Sequence, residues 1–178
     1  MRVLTKSIPV LLGLLLSSCS STPPYTKTVP HVELARFMKP WYVQAGRFTS
    51  FEKDPYNSVE SYTWNEQEKR IDIDFRYNKG AFDGPEKSMP QKGWVKDTTT
   101  NSTWSVQPWW PLKFDYLIIG LGENYEWTAI GVPDQDYLWI MTSEPDFPKE
   151  KVQEILEGLK KSGYSVKDIQ YVQHNKKR

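Results

Sequence analysis

The sequence predicts an all-β fold of eight antiparallel strands with one C-terminal α-helix. From Trp41 onward, short stretches rich in β-branched and aromatic residues alternate between apolar and polar positions, which is typical of half-buried strands. The segments between them are short and rich in turn-forming residues, as connections between antiparallel neighbours are. Periodicity alone leaves open whether the strands form a two-layer sandwich or a closed barrel, although closure removes both sheet edges.

Residues 1–18 are predicted to form a secretory signal peptide. Arg2 and Lys6 precede an apolar run at 8–16, about half the ~20 residues that cross a bilayer as a helix. The run ends in Leu-Ser-Ser-Cys, which resembles the lipobox of bacterial lipoproteins. That resemblance implies cleavage before Cys19, acylation of its thiol and, because serine follows the cysteine, sorting to the outer membrane. A soluble secreted protein is the alternative.

The next segment, 19–32, is predicted to be a lipidated tether. Residues 20–30 are rich in Ser, Thr and Pro and show no apolar period. The folded domain is expected at 33–173, and a basic, solvated tail is expected at 174–178.

Eight strands are predicted between Trp41 and Thr142. Their expected bounds are 41–48, 58–64, 70–77, 91–96, 103–107, 114–120, 125–132 and 137–142.

One segment breaks the period of two. After Pro148, the apolar residues Val152, Ile155, Leu156 and Leu159 follow helical spacing. This pattern predicts an amphipathic helix whose single apolar stripe packs on the sheet. A short ninth strand is expected at 166–172.

Composition and charge exclude several classes of protein. The chain has 178 residues, enough for one ordinary domain. Its formal charge of +1 provides no basic field for binding nucleic acid. Aromatic residues make up 14%, with 8 Trp and 10 Tyr, and these side chains suit surfaces that hold a ligand.

Three stretches carry a resemblance to the lipocalins. They are Phe-Met-Lys-Pro-Trp-Tyr at 37–42, Pro-Asp-Gln-Asp-Tyr-Leu-Trp-Ile at 133–140, and the helix with the last strand. Together they resemble the bacterial outer-membrane lipoprotein lipocalins, which are similar to apolipoprotein D. The resemblance covers 33–173 and implies an eight-stranded antiparallel up-and-down barrel with the C-terminal helix on its outer wall.

The chain departs from that family at the barrel base. Lys39 stands where the family usually has glycine, and Ser143 stands where it tends to have an arginine that stacks on the first-strand tryptophan. We still expect Trp41 to plug the base, because burial of so large a ring is worth a few kcal/mol. We expect Arg36 or Lys39 to supply the cation over its ring.

The resemblance also implies which side chains line the barrel. Alternation from Trp41 and from the family's pocket positions fixes which side chains face inward. For each aromatic side chain among them, the alternative to ligand binding is ordinary core packing. The expected lining is Val43, Ala45, Glu60, Tyr62, Ile71, Ile73, Phe75, Tyr116, Ile118, Tyr137 and Trp139. Such a lining suits an acyl chain, with Tyr62 and Tyr116 orienting a polar head group.

Trp109 and Trp110 lie in a loop between the fifth and sixth strands. Adjacent residues point opposite ways on a strand, so at least one of the two rings is expected to be exposed. We expect a rim contact with ligand, membrane or a second subunit, the alternative being a pair that caps the core.

Residues for catalysis or metal binding are sparse. His31 and His174 fall in the predicted tether and tail, and Cys19 is assigned to the anchor. Asp72 and Asp74 are expected on the solvated face of their strand, which leaves Glu60 as the inward-facing acid. The sequence therefore predicts a protein without catalysis, cofactor or metal.

These observations predict an outer-membrane-anchored, periplasm-facing lipocalin that binds fatty acids or lysophospholipids, in lipid transport, storage or envelope maintenance. The alternative is an interaction protein with a filled barrel that binds an envelope partner through the Trp109 and Trp110 loop. An enzyme on this barrel is the least favoured reading, and the sequence leaves homodimerisation open.

Overall fold

The computed structural model of the chain describes residues 23–175. The predicted signal peptide, Cys19 and the basic residues 176–178 therefore lie outside the described residues. The described part contains, in chain order, α1 (Leu34–Phe37), β1 (Pro40–Arg47), β2 (Pro55–Asn65), β3 (Arg70–Lys79), β4 (Glu86–Val95), β5 (Thr103–Gln107), β6 (Phe114–Leu121), β7 (Trp127–Gly131), β8 (Leu138–Thr142), α2 (Lys149–Lys161) and β9 (Gln170–Tyr171).

The strands close into a barrel. Each of β2 to β8 pairs antiparallel with its neighbour in sequence, and β1 pairs with both β8 and β2. The cross-strand pairs Trp41 with Glu60 and Val43 with Met141 fix the register at the seam. The predicted eight-stranded antiparallel barrel is confirmed, and the sandwich is excluded.

The two ends of the barrel differ. We call the end that carries α1 the closed end, and the end that carries the β1–β2, β3–β4, β5–β6 and β7–β8 connections the open end. At the open end β4 extends beyond β5, whose pairing begins at Lys92 and Gln107. The first half of β4 thus has only β3 as a neighbour. Pro90 is tolerated there because proline, without an N–H, is confined to strands with a free edge.

Helix α2 packs on the outer wall as its periodicity predicts. Val152, Ile155 and Leu159 are buried against a second apolar cluster that includes Leu138 and Ile140 of β8. This cluster lies between helix and sheet, and it is separate from the cluster inside the barrel.

The predicted tether is wrong from Tyr25 onward. The Tyr25 N–H donates to the Pro133 carbonyl (2.7 Å), and the Val32 N–H donates to the Thr100 carbonyl (2.7 Å). Tyr25 and Val32 are both buried. The segment therefore follows the barrel from the open end to the closed end, because its few apolar side chains find sites on the wall and the base.

The C-terminal segment also packs more closely than expected. Strand β9 is shorter than the predicted 166–172 and pairs with β1, while Gln173 bridges Tyr56 of β2. His174 Nε2 lies 2.8 Å from the Val43 carbonyl oxygen, so the predicted solvated tail is wrong at this residue. Burial lowers the pKa of the His174 imidazole.

Candidate functional site

Trp41 closes the barrel from inside. Its ring is fully buried, its Nε1–H donates to the Phe37 carbonyl (2.9 Å), and the Phe37 ring centroid lies 5.1 Å away. Of the two expected cations, Lys39 lies over Trp41 with Nζ 4.3 Å from the ring centroid, whereas Arg36 lies over Tyr125. The residue that replaces the family's glycine therefore supplies the missing cation.

Lys39 is held by more than the ring. Its Nζ donates to the Tyr125 carbonyl at 2.6 Å. Burial lowers the pKa of the Lys39 ammonium, and the neighbouring Arg36 acts in the same direction. The closed end thus combines a plugged apolar core with one partly dehydrated cation.

Above Trp41, four aromatic rings fill the lower interior. The hydroxyls of Tyr62 and Tyr116 share a hydrogen bond of 2.5 Å, and the Trp104 ring stacks on Tyr116 with centroids 5.2 Å apart. Phe37 meets both Tyr62 and Trp104 edge-on. The sequence reasoning missed Trp104, although alternation with Val106 along β5 would have placed it inside.

A polar row follows β2 on the inner face. Ser58, Glu60 and Tyr62 alternate with more exposed residues, and all three are buried. Burial raises the pKa of the Glu60 carboxyl to about 7; hydrogen bonding with Tyr62 opposes this shift, and the charge of Glu52 adds to it. Ser58 Oγ is buried and has no hydrogen-bond partner among the described residues. This row therefore contains a buried hydroxyl without a hydrogen-bond partner in the described part of the chain and a carboxyl whose ionisation is disfavoured.

Glu52 is a second interior acid that the sequence reasoning missed. It lies in the β1–β2 connection, where its carboxylate accepts hydrogen bonds from Trp139 Nε1 (3.0 Å) and Thr49 Oγ1 (2.8 Å). Burial raises the pKa of this carboxyl also. A loop residue has no period from which to read its direction, so the sequence carried no signal for it. The buried polar and charged residues of the described chain include these two acids but no Lys or Arg.

Ala45 was predicted to face inward, and this prediction is wrong. The β1–β8 register shifts between Val43 and Ala45, which marks a β-bulge. The extra residue reverses the alternation, so Ala45 lies in the cluster beneath α2, and Gln44 donates to Thr142 Oγ1 (2.8 Å) outside the barrel.

Most of the remaining expected lining lies in or against the interior cluster. Tyr137 is half-buried, with its ring 5.9 Å from that of Trp139. The buried members are Val43, Glu60, Tyr62, Ile71, Ile73, Phe75, Tyr116 and Ile118.

The tryptophan pair lies on the rim of the open end. Trp110 is 85% exposed and Trp109 is 44% exposed. The Trp109 ring lies 5.1 Å from Phe51 of the β1–β2 connection, so two rim loops touch.

Both described cavities open on the outside of the barrel. One, of about 880 Å³, runs from the outer face of β3 past the free half of β4 to Trp109 and Trp110, and Ile73 of the interior set contributes to its lining. The other, of about 230 Å³, lies between the C-terminal segment and α2. In the lower interior, the rings of Phe37, Tyr62, Trp104 and Tyr116 pack against one another.

No cluster of His, Cys, Asp and Glu that could hold a metal ion occurs within residues 23–175. In the same range, neither helix has the length and apolar character needed to cross a bilayer.

Comparison with known proteins agrees with this architecture. The Lipocalin-like domain family matches residues 32–174. The chain is similar to outer membrane lipoprotein Blc of Escherichia coli strain K12, with 27% identity over 97% of this chain and 98% of the relative. The protein of the same name from Vibrio cholerae is 24% identical over 92% and 95% of the two chains.

Solved structures show the same fold at low identity. Insecticyanin of the tobacco hornworm Manduca sexta has a TM-score of 0.64 at 13% identity and covers 85% of both chains. The cockroach allergen Per a 4 has a TM-score of 0.63 at 15% identity, covering 87% of this chain and 96% of its own. These low-identity matches support the fold alone, whereas the family match extends over most of the chain. The chain therefore belongs to the lipocalin-like family.

Proposed function

We propose that the barrel interior binds one single-chain lipid, a fatty acid or a lysophospholipid, in lipid transport, storage or envelope maintenance. The observation that carries the proposal is the β2 row of Ser58, Glu60 and Tyr62 within a mostly apolar interior. A buried hydroxyl without a partner costs about 1–3 kcal/mol, which a ligand head group or a water would recover. The acyl chain lies among Ile73, Phe75 and Ile118 and gains about 0.8 kcal/mol per buried CH₂.

The charge of the interior favours lysophospholipids with an ammonium head group. The charge of Glu52 already disfavours ionisation of Glu60, and a fatty-acid carboxylate would add a third acidic group to the same space. An ammonium would instead pair with Glu60 and stabilise its ionised form. Lysophosphatidylethanolamine is therefore the ligand that we propose first.

Native mass spectrometry tests this proposal. The chain from residue 20, which retains the whole described barrel, is delipidated and incubated with lysophosphatidylethanolamine or with palmitate. We expect a one-to-one adduct with the lysophospholipid, and about tenfold weaker binding by the Glu60→Gln variant, because a neutral amide loses the charge-assisted contact. The variant Glu154→Gln, on the exposed face of α2, is the matched control. Stronger binding of palmitate would contradict the head-group assignment.

A second candidate function follows from the aromatic packing of the lower interior and from the exposed rim. Both described cavities lie outside the barrel and Trp110 is largely exposed, as in an interaction protein that binds an envelope partner through its rim. Such a barrel would give no adduct with either lipid. The same mass spectra therefore separate the two functions.

We also propose that Cys19 carries the lipid anchor and that the barrel faces the periplasm. The lipobox-like sequence before Cys19 supports the assignment, together with the relatives' location in the outer membrane. Replacing Cys19 with Ser should abolish incorporation of an alkyne-labelled palmitate and release the protein from the membrane fraction. Retention of the label in that variant would place the acyl group elsewhere.

A further inference from the structure

The N-terminal segment joins the barrel at its open end. The Tyr25 N–H bonds to Pro133 in the β7–β8 connection, and the Tyr25 hydroxyl lies 3.1 Å from Ser162 Oγ just after α2. Lys27 Nζ donates to the Ser162 carbonyl at 2.8 Å. From there the chain runs toward Val32 at the closed end. The chain that leads back to Cys19 thus departs beside the mouth.

The length of that chain limits where the membrane can be. Five residues lie between Cys19 and Tyr25, and the six Cα-to-Cα steps that join them span about 20 Å when the chain is extended. The eleven residues of β2, at about 3.3 Å each and a tilt of about 40°, give a barrel roughly 28 Å tall. An anchor at Cys19 therefore reaches a bilayer beside the open end, but not one beneath the closed end.

Exposed apolar side chains cluster at the same end. Of the eight large apolar side chains that are exposed within residues 23–175, only Trp64 and Tyr171 lie away from the open-end connections. Tryptophan, phenylalanine and leucine are the residues that enter the interface of a bilayer. The other six, which we call the rim patch, are Phe51, Phe82, Trp109, Trp110, Leu112 and Phe114.

We infer that the rim patch docks on the lipid surface of the membrane that holds the anchor, so that the mouth opens onto the bilayer. The anchor fixes which end can reach the membrane, and the rim patch provides the contact. If the barrel binds a single-chain lipid, as proposed above, this lipid would pass between bilayer and barrel along the rim without crossing water. This part of the inference rests on the proposed function. The docking itself does not depend on a bound ligand.

Accessibility of a label tests the orientation in the lipidated protein. Single cysteines are introduced at Asp83, in the β3–β4 connection of the open end, and at Gln67, in the β2–β3 connection of the closed end, and each carries a fluorescent label. In vesicles of phosphatidylethanolamine and phosphatidylglycerol, we expect the label at position 83 to be at least fivefold less accessible to an aqueous quencher than the label at position 67. Equal accessibility, or the reverse order, overturns the inference.

A pair of tryptophan variants tests the contact. In the chain from residue 20, without the anchor, Trp110→Ser should weaken sedimentation with the same vesicles about tenfold. Trp64→Ser, the same change at the closed end, should leave sedimentation within twofold of the unchanged chain. Equal effects of the two substitutions overturn the role of the rim patch. So does a concentration-dependent dimer that Trp110→Ser disrupts while vesicle binding persists.

The ligand adduct is measured on the same Trp110→Ser protein. Docking can be lost while the lysophospholipid adduct is retained, and the adduct can be absent while docking persists. Failure of the inference is therefore distinguishable from failure of the proposed function.

Discussion

The closed and open ends of the barrel differ in how completely their side chains are buried and hydrogen-bonded. At the closed end Trp41 donates its N–H to Phe37, lies under Lys39 and is fully buried. At the open end Trp110 is 85% exposed, and the interior that leads to it holds two buried carboxyls with raised pKa values. A binding barrel needs this division, because the base supplies stability while the mouth must open for a ligand.

The largest expected effect is a loss of stability when the core of the closed end is disrupted. Trp41→Ala should lower the free energy of unfolding by about 3–5 kcal/mol, since it leaves a cavity among Phe37, Tyr62 and Trp104. Trp110→Ala should change it by less than about 0.5 kcal/mol, because its ring is exposed. Urea unfolding followed by circular dichroism measures both. Similar losses in the two variants would remove the contrast between the ends.

The next effect concerns pH. Burial raises the pKa of the Glu60 carboxyl from 4.5, its ordinary value in the unfolded chain, to about 7 in the folded one. The folded state therefore binds the proton more tightly, and Glu60 makes the protein less stable as pH rises from about 4.5 to 7, by up to about 3 kcal/mol.

Glu60→Gln should remove this dependence. The variant is expected to be more stable than the unchanged protein at pH 8 and nearly equal at pH 5, as measured by urea unfolding at both pH values. Glu154→Gln provides the control for loss of an exposed carboxylate. A variant that is destabilised equally at both values would show that Glu60 acts through packing rather than ionisation.

The smallest effect sharpens the description of the base. Lys39→Met keeps most of the side-chain stem but removes the charge over Trp41, at an expected cost of about 0.5–1 kcal/mol in unfolding free energy. Lys39→Arg should recover much of that loss because it restores a cation. Lys113→Met, which removes the cation over Trp94 on the outer wall, should cost less because Lys113 is exposed. Equal losses at Lys39 and Lys113 would count against a special role at the base.

Local patterns predicted most of the architecture. The period of two located all eight barrel strands, and the spacing of Val152, Ile155 and Leu159 located α2. The family resemblance gave the interior position of Tyr62 and Phe75, and alternation from them added Glu60 and Ile73. These features follow from the sequence because side-chain direction in a regular strand or helix depends on position along it.

The errors lie where regular alternation stops. The bulge at Val43 to Ala45 depends on how β1 meets β8, so Ala45 was assigned to the wrong face. Glu52 enters the barrel from a loop, and Tyr25 and Val32 dock a segment whose composition is typical of a tether. Each depends on a partner far away in sequence.

The sequence by itself determined the all-β class of the fold and the helix, because their periods are written in neighbouring residues, and its resemblance to the lipocalins indicated the closing tryptophan. Only the tertiary structure decided that Lys39 covers Trp41, that Glu52 and Glu60 share the interior, and that the N-terminal segment leaves from the open end. These contacts depend on packing and dehydration between segments that are distant along the chain. The local pattern of the sequence does not indicate which of these segments meet.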